Sequence, residues 1–380
     1  MTVNFNSNIL NQLVALKPDK ATDVDVKFPY FKDWRQNKRN PTLNQLSKVA
    51  DYFNVPFGYF FINKIQDKEY PIPHYRTISR GQFKPSEELL DVINIVEQRQ
   101  KWASYMLKKI NHNEIPYANS VSIQDSVEET AQKIRDILDV HESWAKFEGF
   151  GKWIDAFKYL VDKIENAGVF VVINGVVGNN TFRPLNINEF RGFVLYDELA
   201  PFIFINGVDF VSARIFTLIH EFVHILIGKS ASFDFVTLQP ANNAIEEFCD
   251  AVAAEFLVSK NSLLGNIKKF GADYEKLANI YKVSQIVIAR RLLDIDKIGY
   301  PDFLKYYENF KGYKQEVTKP ETPGGDFYNN QPNRISKSFF NLLYLAVNQN
   351  QILYRDAFRL SGLSPKSFDT YIERYITKTT

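Results

Sequence analysis

Apolar positions along this chain repeat with a helical period at both ends and with a strand-like period in the middle. In residues 43–53, Leu43, Leu46, Val49/Ala50 and Phe53 recur at helical spacing, with Thr42 placed as an N-cap. Val55-Pro56-Phe57-Gly58 ends that run, and residues 59–62 add an apolar anchor. Long helical runs follow at 87–109 and 123–138, the second capped by Asp125 or Ser126. The pattern then shortens. Residues 169–174, 192–197 and 202–206 are β-branched or aromatic and are bounded by Gly, Asn, Asp or Pro, which reads as three strands. Helical spacing returns in 216–228, 244–258, 274–296, 336–349 and 355–360. The polar stretch 229–243 reads as a loop, and the Pro/Gly/Thr-rich stretch 317–325 as a linker.

This order predicts an α+β chain, mostly helical, with a small sheet in its core and helical modules at both ends. A length of 380 residues suits two or three domains. The breaks place them at 1–65, 66–315 and 326–380. With 32 Phe and 20 Tyr the cores are expected to be aromatic. A net charge of +2 argues against a polybasic nucleic-acid coat. The single cysteine, Cys249, gives no intramolecular disulfide. The first residues lack the pattern of a secretory signal, and no apolar run reaches membrane-spanning length, so a cytosolic protein is expected.

The chemistry concentrates in His220-Glu221-Phe222-Val223-His224, a His-Glu-x-x-His signature inside an apolar helical run. Residues four apart on a helix share a face, so the two imidazoles can converge on one metal ion. Glu221 sits one residue further round, within reach of a water at that metal, where a general base is needed. Catalytic zinc takes three protein ligands, and a carboxylate from a following helix is one way to complete the set. Glu246 and Glu247 are both available. Glu246 is favoured because Asp250, four residues on, shares its face and is placed to accept a hydrogen bond from a zinc-bound imidazole. Cys249 lies on nearly the same face but reads as a packing residue. His74, His112 and His141 have no partner at ligand spacing.

Residues 216–224 and 245–258, together with Glu189-Phe190-Arg191-Gly192-Phe193 before them and Val283-Ser284 and Arg291-Leu292 after them, resemble the ImmA/IrrE family of bacterial metallopeptidases. The resemblance covers about residues 165–295. It implies a zincin-like, gluzincin-type endopeptidase core in which His220, His224 and Glu246 bind Zn2+ and Glu221 is catalytic. It also implies a regulatory role in stress or toxin-antitoxin control, by cleavage of a helix-turn-helix repressor or antitoxin. The family closes its second helix with Pro, where this chain has Val258-Ser259.

The front segment resembles the C-terminal half of an Xre-like helix-turn-helix domain, a common companion in that family. Asn37 stands where the Xre-like pattern has Gly, and Pro29 falls where the recognition helix is expected. Lys32, Arg35, Lys38 and Arg39 are its candidate phosphate contacts, and DNA binding is expected to be weak. The competing reading of the whole chain is a non-catalytic DNA- or protein-binding regulator that uses the zinc fold as a scaffold.

Overall fold

The computed structural model describes residues 2–53, 55–64, 85–228, 244–317 and 333–375. The expected loop 229–243, most of the linker 317–325, His74 and the junction at 65/66 lie outside the described residues. By contact the chain falls into two compact units, Met1–Pro71 and Ile72–Thr380.

The first unit is helical: α1 (Asn8–Leu16), α2 (Pro18–Ala21), α3 (Val24–Lys27), α4 (Phe31–Arg35), α5 (Leu43–Phe53) and a 3-10 turn, Phe57–Phe61. Thr42 and Gln45 form a reciprocal cap on α5: Gln45 N donates to Thr42 Oγ1 and Thr42 N donates to Gln45 Oε1. Leu46, Val49, Ala50 and Phe53 point into the core, whereas Leu43 is exposed. Trp34 is buried within α4, edge-on to Phe31, although polar residues follow it in the sequence. A large ring in so small a core outweighs the polar residues around it. Pro29 lies in the break between α3 and α4, as its missing N–H requires. Asn37 adopts a φ of 56°, the left-handed region that Gly prefers and Asn tolerates.

The second unit opens with α6 (Glu87–Lys109), α7 (Val127–Leu138), α8 (Trp144–Phe147) and α9 (Trp153–Asn166). Ser86 caps α6 and Ser126 caps α7. Five strands follow: β1 (Phe170–Asn174), β2 (Val176–Val177), β3 (Asn180–Pro184), β4 (Gly192–Leu195) and β5 (Phe202–Asn206). The main sheet has the order β1-β5-β4, with β1 parallel and β4 antiparallel to β5. The β2–β3 hairpin was not legible beforehand, because Val176-Val177 is only two residues long between Gly175 and Gly178.

Alternation along the strands gives this sheet two different faces. Val171, Ile173, Val194, Ile203 and Ile205 join the aliphatic core with α9 and with α10 (Val211–Ile227). Phe170, Phe193, Phe202 and Phe204 turn the other way and stack in pairs, at 4.7 Å for Phe170–Phe202 and 5.0 Å for Phe193–Phe204.

Past α10 the unit is again helical: α11 (Ala244–Leu257), α12 (Lys260–Phe270), α13 (Tyr274–Tyr281), α14 (Gln285–Asp294), α15 (Tyr300–Val317), then α16 (Lys337–Asn348), α17 (Tyr354–Ser361) and α18 (Pro365–Tyr375). The C-terminal helices, expected as a module of their own, belong by contact to this second unit. Their role in the packing is plain: Phe339 of α16 meets Phe170, Phe202 and Trp102 edge-on and so covers the aromatic face of the sheet. Buried Arg99 of α6 donates to the carbonyls of Leu360, Ser361 and Arg334, and Ser336 donates to buried Glu165 of α9. Among the described residues no helix is long and apolar enough to cross a membrane.

Candidate metal centre

Helix α10 is buried almost all round, and the polar exceptions on its site-facing side are Thr217, His220, Glu221 and His224. Gly228 ends it at a φ of 75° in a left-handed C-cap. Helix α11 packs against it through Phe248, Cys249, Val252 and Phe256, which sets Glu246 opposite the histidines and leaves Glu247 exposed.

Three donor atoms meet there. His220 Nε2 lies 3.0 Å from Glu246 Oε2 and 3.2 Å from His224 Nε2, and His224 Nε2 lies 3.4 Å from Glu246 Oε2. Ligands bound tetrahedrally at about 2.0–2.1 Å stand roughly 3.3 Å apart, so the triangle has the edge length that such an ion needs. Asp250 Oδ1 lies 2.9 Å from His220 Nδ1, a contact that fixes the ring with its Nε2 lone pair toward the triangle. Glu221 Oε2, Glu246 Oε1 and His224 Nδ1 are buried with no hydrogen-bond partner among the described residues. Each such atom costs about 1–3 kcal/mol. The two carboxylate oxygens belong to side chains at or beside the triangle, and the two imidazoles and one carboxylate that converge there suit a metal.

The electrostatics follow from the crowding. With only protein groups around it, Glu221 is pushed up to about 8 by burial, reinforced by the charges of Glu246 and Asp250 against the pull of His220. Burial also opposes the charge on Glu246, but the two histidines outweigh it and hold that carboxyl at about 2. His220 goes up because Asp250 and Glu246 override its burial, whereas His224 goes down because burial prevails. Cys249 is raised by burial and by the surrounding carboxylates, and it stays a packing thiol outside the triangle.

Two supports of the site come from outside α10 and α11. Gly192, the first residue of β4, lies so close to α10 that a Cβ there would stand 2.6 Å from Thr217 Cγ2, 2.9 Å from the Phe204 carbonyl and 3.3 Å from Glu221 Oε1. Only Gly lets the strand reach the helix beside Glu221. Gly192→Ala is expected to lower unfolding stability by about 1–3 kcal/mol, and Thr217→Ser, which removes the crowding methyl, to recover part of it. Denaturant titration of the single and double variants checks this; equal midpoints for wild type and Gly192→Ala would rule the contact out as a constraint.

The second support is a pair of arginines at the end of α11. Arg135 Nη2 donates to the carbonyls of Glu255 and Phe256, while Arg291 Nε donates to Val258 and its guanidinium pairs with Glu255. Ser259 then caps α12, which gives α11 a defined exit without the proline.

The remaining expected residues lie elsewhere. Lys32, Lys38 and Arg39 are exposed in the first unit, with Arg39 stacked over Tyr30, and Arg35 donates to Asn11. His112 and His141 are exposed and apart from the cluster.

Comparison with known families gives two matches. Residues 181–293 are similar to Peptidase_M78, the IrrE N-terminal-like domain, and residues 335–374, which span α16 to α18 up to Arg374, to a domain of unknown function, DUF8813. No curated protein matches the chain. The stretch that holds every member of the triangle is thus similar to a metallopeptidase domain, and that likeness suits a bound metal ion.

Proposed function

We propose that this chain is a zinc-dependent regulatory endopeptidase that cleaves a particular protein partner, a helix-turn-helix repressor or an antitoxin, in the cytoplasm. The observation that carries the reading is the triangle of His220, His224 and Glu246 beside an unpaired, buried Glu221. Two imidazoles and one carboxylate favour zinc, and three protein ligands leave a position open, as a catalytic site requires. A bound zinc supplies Lewis acidity toward a peptide carbonyl and makes a water acidic near neutral pH.

The residues do the rest. Glu221 takes a proton from the attacking water and hands it to the leaving amine. Asp250 holds His220 in the tautomer that keeps its Nε2 free for the metal. Strand β4 ends the main sheet, and an extended peptide added along its outer side would run past Glu221, where Gly192 brings strand and helix together. The choice of a repressor or antitoxin rests on the resemblance to ImmA/IrrE metallopeptidases, and partner recognition is assigned to the helical first unit. DNA contact through Lys32, Arg35, Lys38 and Arg39 is weak in this reading and falls steeply with salt.

The test is incubation of the zinc-loaded full chain with helix-turn-helix and antitoxin proteins encoded beside its gene, followed by mass spectrometry of the products. A single cut that stops with a chelator and returns with added zinc is expected. No cut in any of them, with zinc bound, would leave the scaffold reading standing.

A further inference from the structure

At the N-terminal end of α10 two guanidinium groups meet at one aspartate, and only one of them takes its carboxylate. Asp209 is buried; its Oδ2 accepts from Arg191 Nη1 at 2.6 Å and its Oδ1 from the Phe210 N–H at 2.8 Å. Arg214 Nε donates at 2.7 Å to the backbone carbonyl of Asp209, not to the carboxylate. Arg191 therefore uses the acid that would otherwise neutralise Arg214. Among the described residues, the two terminal nitrogens of Arg214 have no hydrogen-bond or ion-pair partner. Burial pulls its guanidinium below the ordinary value, and the Asp209 charge offsets this only in part. A part-buried cation, anchored at Nε and open at its fork, is matched in shape and charge to a planar anion.

Its position gives the anion a source. Arg214 precedes Glu221 by seven residues on α10, which puts the two on one stripe with Thr217 between them, two turns or roughly 10.5 Å apart. Thr217 touches the start of β4 at Gly192, so Arg214 stands near the end of the strand edge assigned to the substrate. The side chain leans further toward the helix N-terminus to reach Asp209. An extended peptide advances about 3.3 Å per residue, so for one that runs alongside α10 the open fork falls about three or four residues from the bond that faces Glu221.

We infer that Arg214 is a specificity-determining residue that receives a carboxylate of the peptide substrate about three or four residues from the scissile bond. The inference rests on the peptidase reading. The carboxylate comes from an Asp or Glu side chain or from the peptide C-terminus, and both sources can be tested.

Zinc-loaded full chain, as wild type, Arg214→Gln and Arg214→Lys, is incubated with a peptide library made from a digested proteome, and the cut sites are read by mass spectrometry. Wild type is expected to enrich Asp or Glu at one position about three or four residues from the cut. Arg214→Gln loses that enrichment, and Arg214→Lys keeps a weaker form, with zinc content equal in all three. On a peptide carrying the acid, kcat/KM falls about tenfold to a hundredfold in Arg214→Gln, mainly through KM. Cuts that vanish when the library is C-terminally amidated assign the carboxylate to the terminus. A wild-type profile without either preference, or one that Arg214→Gln shares, overturns the inference. If wild type cuts nothing, the peptidase reading fails on its own. The same library passed over immobilised Glu221→Gln protein then decides for the anion site: acidic peptides retained only while Arg214 is present support it, and equal retention without Arg214 overturns it.

Discussion

Replacing Glu221 by Gln leaves the metal and the fold in place and slows partner cleavage by about a hundredfold to ten-thousandfold. The amide is nearly isosteric, so the packing of Phe222 and Ile225 next to it on α10 survives. Glu221 is outside the ligand triangle, and one of its carboxylate oxygens has no partner among the described residues, so the exchange disturbs no bond described at that oxygen. What disappears is the capacity to accept a proton. Glu246→Gln acts differently. That carboxylate is held ionised by the two histidines it faces, and a neutral amide in its place is a poorer ligand, so the metal itself loosens. Zinc content and cleavage measured side by side on the two variants separate the base from the ligand. A Glu221→Gln protein that cuts the partner at the wild-type rate would sink the general-base assignment.

Removing the metal costs stability as well as activity. The candidate ligands come from two helices of the same core, and the unfolded chain does not hold them together, so under the proposed function zinc is expected to bind the folded state selectively. At free zinc a thousandfold above its dissociation constant, that selectivity is worth about 4 kcal/mol. A chelator is therefore expected to lower the melting temperature of wild type by several degrees and to leave His224→Ala unmoved. His224 is almost wholly buried, so its replacement also removes packing. The chelator-dependent difference, not the absolute midpoint, is the quantity to compare. Elemental analysis provides the second reading, with about one zinc per chain in wild type and none in the His220→Ala/His224→Ala pair. Equal zinc in both proteins would disprove the ligand set.

What the sequence by itself determined is what local spacing can encode. Two histidines four apart converge on any helix, and Glu246 with Asp250 repeats that spacing on the next one, so each pair was legible from the chain alone, whereas their meeting was decided by the packing of α11 on α10. The same holds for the Thr42 cap of α5, the Ser126 cap of α7 and the three strands of the main sheet. Tertiary structure decided the features that join distant residues. Nothing local distinguishes the β4 edge from the other strands; its place follows from pairing across the sheet. Gly192 looks like a strand boundary until α10 is laid against it. Arg135 and Arg291, about 120 and 33 residues from the carbonyls they cap, end α11 where the pattern it resembles has a proline, because buried carbonyls accept any donor that the fold delivers. The C-terminal helices read as a separate module because a linker-like stretch precedes them. The phenylalanines of the sheet bind them to the second unit, since Phe339 packs on Phe170 and Phe202 and keeps both rings from water.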